Sequence, residues 1–98
     1  RPRAVLALND QVAIGAMTRL QQTGLVLPRD LSLLGFDNLE VAGHVNPRLT
    51  TIDQQVDEIM AHAVELLTGS TAPAPSSVAE PRVIKPVLIV GESTGRSA

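Results

Sequence analysis

The chain has 98 residues, enough for one small domain, and its 44% hydrophobic and 18% charged residues fit a soluble globular fold and exclude a disordered one. A formal net charge of -2 without a basic cluster makes this segment a poor binder of phosphate backbones, and the lack of cysteine excludes disulfides and thiolate chemistry and is in keeping with a cytoplasmic setting. No apolar stretch reaches transmembrane length, no signal peptide opens the chain, and a start at Arg1 that runs almost at once into a strand is expected of a piece cut from a longer protein.

Residues 4–8, Ala-Val-Leu-Ala-Leu, read as a buried strand that ends in Asn9 and Asp10. Both are good N-caps, and a helix is expected over 11–23: Ala13, Met17 and Leu20 recur at spacings of four and three, with Val12 and Ala16 beside them and Arg19, Gln21 and Gln22 on the wet side. Gly24 is a natural stop and Pro28 prevents resumption. A second apolar run over 31–36 ends abruptly in Asp37 and Asn38. Strand, helix and strand within about forty residues make a βαβ unit, with parallel strands and a right-handed crossover. Polar residues at the C-terminal ends of parallel strands face the crevice where open α/β sheets bind ligands. Two such ends rich in carboxylate and amide suggest a site for a hydroxyl-rich small molecule.

The stretch 38–48 is irregular, broken by Gly43 and Asn46-Pro47. Residues 49–52, Leu-Thr-Thr-Ile, predict a third, brief strand. Gln54 and Gln55 lead into the clearest helix, where Val56, Ile59, Met60, Ala63, Val64 and Leu67 form one stripe and Asp57, Glu58, His62 and Glu65 lie opposite, until Gly69 ends it. Residues 70–81, rich in Pro, Ser, Thr and Ala, read as a mobile loop. Residues 82–90 have strand character that Pro86 confines to a sheet edge or a bend, and 92–98 read as a polar tail that frays. So small a sheet cannot cover both faces or protect its edges, so either further chain or further copies must supply neighbours.

Four segments come in order: Ala7-Leu8-Asn9-Asp10-Gln11-Val12-Ala13-Ile14-Gly15-Ala16, Leu34-Gly35-Phe36-Asp37-Asn38, Leu49-Thr50-Thr51-Ile52-Asp53-Gln54 and Val90-Gly91-Glu92-Ser93-Thr94. This series strongly resembles the C-terminal part of the effector-binding domain in the lactose-repressor/galactose-repressor family of bacterial transcription regulators, over nearly the whole chain. The resemblance implies an α/β fold with a three-layer, Rossmann-like parallel sheet, a partial C-terminal subdomain of a periplasmic-binding-protein-like core. Residues 1–98 would form the C-terminal portion of the effector-binding and dimerisation domain, with the DNA-binding helix-turn-helix absent from this chain. The implied function is that of a cytoplasmic regulator, a repressor above all. It would bind a sugar or similar small polar metabolite, form a homodimer and meet operator DNA only through the missing N-terminal domain. It implies no cofactor, metal or membrane partner.

The resemblance makes Asp37 an acceptor for ligand hydroxyls or a ring nitrogen. A carboxylate suits that role because it only accepts and can hold two adjacent hydroxyls. The alternative is a cap on the following turn. Asn9 is a second ligand contact or a helix N-cap; Asp10 is placed with them, as a contact, a cap or a binder of backbone around the pocket. Gln54 either borders the pocket or starts the next helix. Val56 stands where some sugar-binding relatives carry an aromatic, so that wall is aliphatic here, and Phe36 is the sole aromatic of the chain. A dimer interface is expected from Val12, Gly15, Ala16 and Met17, a smooth helix face that also packs on its own sheet, and from Val41, His44 and Val45 beyond the second strand.

His44 and His62, eighteen apart with no cysteine, read as solvated or interface residues and not as metal ligands. Asp53, Asp57 and Glu58 complement a helix dipole. No nucleophile elbow or phosphate-cradling loop is present, and no acid/base pair is visible, so no enzymatic role is expected. The alternative to a regulator is a sugar-binding protein of a transport system with the same core.

Overall fold

The computed structural model describes residues 2–69 and 82–96. Strands β1 (Ala4–Leu6) and β2 (Ser32–Leu34) lie parallel, with Ala4 opposite Ser32 and Leu6 opposite Leu34. Helix α1 (Asp10–Gln22) connects them, as the βαβ pattern predicts. Asn9 is extended at its start (φ -154°, ψ 176°), and its side-chain oxygen accepts from the amide of Val12 at 2.9 Å. That satisfies one of the helix's first unpaired N–H groups. At the other end the Thr23 amide reaches back to the Arg19 and Leu20 carbonyls, and Gly24 follows at φ +90°, a conformation open to a residue without Cβ.

Ala13 and Met17, one turn apart on α1, are buried with Ala7, Leu27, Leu31, Leu33, Ala42 and Leu49, and these residues form the core. Met17 is therefore not available as an interface residue: the i, i+4 pairing that makes it part of a smooth face turns that face onto β2.

The free edge of β2 is taken by the next crossing of the chain. The Gly35 amide donates to the Thr50 carbonyl and the Asp37 amide to that of Ile52, both at 2.9 Å, and a parallel bridge joins Leu34 to Thr50. Strand β3 (Thr51–Asp53) then pairs antiparallel with β4 (Val87–Ile89), Thr51 opposite Ile89 and Asp53 opposite Val87. Pro86 stands just ahead of β4, where its missing N–H costs no ladder bond. All strands are shorter than their apolar runs. Leu8 and Phe36 lie past the paired stretch, because an apolar run reports burial or a hydrophobic wall and not ladder length.

Helix α2 (Val56–Thr68) ends at Gly69 with φ +67°, as expected, but it buries none of its residues. Its apolar stripe is not a core stripe among the described residues: Val56, Met60, Val64 and Leu67 are exposed. The described chain lies instead along one margin of the helix, where Ile59 and Ala63 of the stripe, with His62, Leu66, Arg82 and Ile84, line a hollow of about 360 Å³. Arg82 reaches Glu58 at 3.7 Å there. The expected loop over 70–81 lies outside the described residues.

The expected fraying of 92–98 is corrected over 92–96. Ser93 is fully buried; its hydroxyl donates to the Leu33 carbonyl at 2.6 Å and accepts from the Thr50 amide at 2.9 Å. Its carbonyl accepts from the Leu33 amide, and the Gly95 amide donates to the Ser32 hydroxyl. Polar composition misleads here because these side chains spend their polarity on strand backbone and not on water.

Candidate effector site

The site is built where β2 runs out. Asp37 and Asn38 have φ of +120° and +54°, the left-handed side of backbone space that costs most residues energy and that Asn and Asp tolerate best. The turn is held by three successive amides, each with a partner. Asp37 N–H meets the Ile52 carbonyl at 2.9 Å, Asn38 N–H the Thr51 hydroxyl at 3.1 Å, and Leu39 N–H an Asp10 carboxylate oxygen at 2.7 Å. Beyond it a 3₁₀ turn (Glu40–Gly43) packs Ala42 into the core.

Asp37 lies on a hollow of about 370 Å³ together with Asn38, Leu39, Glu40, Asp53, Gln55, Val56 and Asp57. Four carboxylates and no basic side chain line it, so its wall is rich in hydrogen-bond acceptors. Gln54 does not cap α2. Its side-chain amide donates to an Asp37 carboxylate oxygen, while Gln55, in a left-handed conformation, stands at the helix start. Asn38 donates its side-chain amide to Asp53 at 3.1 Å. The aliphatic Val56 is one wall, as expected.

Asn9 takes the N-cap role through its carbonyl oxygen, and the amide nitrogen is not part of the cap. It is half-buried just past the C-terminal end of β1, and neither it nor Gln54 lines the hollow beside Asp37. Asp10 is fully buried, with one oxygen on the Thr51 hydroxyl at 2.6 Å and the other on the Leu39 amide. Of its expected roles the structure displays that of binding backbone around the pocket and not ligand contact, since burial closes it to a diffusing molecule.

Sequence reasoning put Asn38 with Asp37 at the crevice end of the second strand, gave it no individual role, missed Glu40 and Gln55 as lining residues, and assigned Asp53 and Asp57 only to the helix dipole. The composition of the strand–turn junctions, rich in carboxylates on both sides of the hollow, was the available signal. It also missed that Phe36, with Leu6, Ala7 and Leu8, lines a separate hollow of about 520 Å³ at the ends of β1 and β2. Of the expected interface residues other than Met17, Val12, Gly15, Val41 and His44 are exposed, whereas Ala16 and Val45 are half-buried. Val45 packs against the core, and His44 lies 4.0 Å from Glu40, one helical turn away.

Arg48 and Glu92 join the start of the β3 crossing to the end of the β4 crossing. The Arg48 amide and guanidinium both donate to one Glu92 oxygen, at 3.3 and 3.2 Å. The backbone hydrogen bond first, then the guanidinium hydrogen bond and its charge, hold the Glu92 carboxyl below the usual glutamate range.

A parallel βαβ unit with polar residues at its strand ends, extended by a crossing strand that turns antiparallel, is an α/β arrangement of the periplasmic-binding-protein-like class. The family model described as a periplasmic binding protein-like domain matches residues 1–94. A LacI-type transcription regulator from Bifidobacterium animalis subsp. lactis is 35% identical, with a TM-score of 0.86 over 98% of this chain and 34% of that one. A LacI family transcriptional regulator from Arthrobacter sp. FB24, solved in complex with lactose, is 33% identical, with a TM-score of 0.84 over 95% of this chain and 35% of that one. The HTH-type transcriptional repressor PurR of Vibrio vulnificus is 48% identical over 67 residues, 68% of this chain and 20% of the repressor. The chain belongs to the periplasmic-binding-protein-like domain family, in the form carried by lactose-repressor/galactose-repressor regulators. It spans about a third of the length of the regulators whose structures it matches.

Proposed function

We propose that this chain is the effector-sensing and dimerisation part of a DNA-binding transcriptional repressor, working in the cytoplasm. In this reading the chain supplies half of a pocket for a sugar or similar small polar metabolite and carries out no chemistry. Binding shifts the pose of two subdomains and with it the spacing of two DNA-reading heads borne by the rest of the protein. Asp37 accepts hydrogen bonds from the metabolite. Asn9 offers its amide nitrogen, and Gln54 orients the Asp37 carboxylate. The exposed side of α1, with Val12 and Gly15, meets a second copy together with Val41 and His44.

One observation carries the reading: Asp37 lies on an acceptor-rich hollow at the C-terminal end of a parallel strand, in a chain 33% identical to a regulator solved with lactose. A hydrogen bond to a charged group contributes roughly 1.5–3 kcal/mol net, enough to govern affinity for a small polyol. The test is a thermal-shift screen of neutral sugars, nucleobases and sugar phosphates on the full-length protein, followed by Asp37→Ala. The expected result is loss of the effector's stabilisation with operator binding kept. Stabilisation unchanged by the substitution would remove Asp37 from the site. A full-length protein that binds sugar but no operator DNA would favour a transport role.

A further inference from the structure

We infer that Asp10, although closed to solvent, is a positioning residue that sets the aim of Asp37. The inference rests on the reading of Asp37 as an effector contact, and it names the device that holds that contact in place. Asp10 lies in the first turn of α1, and its two oxygens act on different parts of the site. One accepts the Thr51 hydroxyl proton, at 2.6 Å. That same hydroxyl oxygen accepts from the Asn38 amide at 3.1 Å. The other oxygen accepts from the Leu39 amide at 2.7 Å. Asp10 thus fixes the turn at 38 directly behind Asp37 by relay through β3, and at 39 by direct contact.

The turn needs such anchoring. Asp37 and Asn38 both stand at positive φ, a pair of conformations that persists only where the surroundings over-determine it. A buried carboxylate with two donors is a stiff anchor, because charge-assisted hydrogen bonds are shorter and stronger than neutral ones. The space for it is kept by Gly35: a Cβ there would collide with an Asp10 oxygen and would lie 2.9 Å from Leu49 Cδ2. A buried carboxylate with no charged partner among the described salt bridges is costly unless hydrogen bonds satisfy it. Its placement under the site turn is therefore not explained by helix capping, which Asn9 already performs.

The experiment uses Thr51→Val, which removes the relay hydroxyl at nearly constant volume, and Thr51→Ser, which restores it. Both are made in the full-length protein, since Asp10→Asn alone risks misfolding. Two readouts by nuclear magnetic resonance need no effector: exchange of the amides of Asn38 and Leu39, and the resonance of the Gln54 side-chain amide that Asp37 accepts. In Thr51→Val the turn amides are expected to exchange at least about tenfold faster, as loss of one such bond implies. The Gln54 resonance is expected to shift, and the amides of Ala13 and Met17 in α1 to keep their protection. Thr51→Ser restores all of it. Unchanged exchange at 38 and 39, or an unmoved Gln54 resonance, overturns the inference, and so does equal loss of protection throughout α1. Failure of the effector-contact reading shows separately, as effector stabilisation that survives Asp37→Ala.

Discussion

Gln54 donates its side-chain amide to the carboxylate of Asp37 across seventeen positions, from the end of the β3 crossing back to the end of β2. The bond holds one carboxylate oxygen of a residue that lines the hollow.

Gln54→Leu keeps the bulk and removes the donor. With Asp37 then free to turn, affinity for an effector found in the screen is expected to fall by up to about 1.5–3 kcal/mol, the range for a hydrogen bond to a charged group. Isothermal titration measures it, with the melting temperature as a control. Affinity equal to that of the unaltered protein would show that this contact is structural alone.

Asn9 has two separable duties, because its oxygen caps α1 while its nitrogen stays outside the cap. Asn9→Ser retains a capping oxygen and deletes the amide donor. Stability is expected to stay within a few tenths of a kcal/mol and effector affinity to fall. Asn9→Ala is expected to cost about 1 kcal/mol of stability as well. Chemical denaturation read beside titration separates the duties. Ser behaving like Ala in stability would mean that the cap depends on the amide.

Glu92 titrates below the ordinary glutamate range because Arg48 donates to its ionised form. A group whose native pKa is depressed adds stability above its unfolded value, about 4.3, and loses it as pH falls through the lower native value. Glu92→Gln is therefore expected to lower the melting temperature at neutral pH, with the gap to the unaltered protein closing only on acidification below about pH 4.3. Added salt should narrow the gap as well, since both side chains are more than half exposed. A gap that widened in acid would contradict the sign.

The βαβ order, the N-cap and the stop at Gly24 could be read from the sequence because each rests on local chemistry: spacing, capping oxygens and a residue without Cβ. That Asp37 stands at the end of the second strand was readable for the same reason, as a polar residue after an apolar run, and the structure places it on the candidate hollow. The role of Asp10 was not decided, because its partners Leu39 and Thr51 come from distant parts of the chain and no spacing reports them. Ser93 was misplaced on the same ground: a serine in a polar tail looks solvated until Leu33 and Thr50 are known to flank it. Met17 failed differently. Its periodicity identified a face, but periodicity does not say whether that face meets its own sheet or a neighbour. Helix α2 shows the limit of amphipathicity, since its stripe buries no residue among the described ones.

The seating of Ser93 has a practical bearing on anyone who trims or tags this polypeptide. Clipping the carboxyl end back to Gly91 would strip the Leu33 carbonyl and the Thr50 amide of the hydroxyl they share, in the middle of the sheet. A protease cut or a careless cloning boundary there would thus injure the interior, although it removes only a handful of residues that look dispensable on paper.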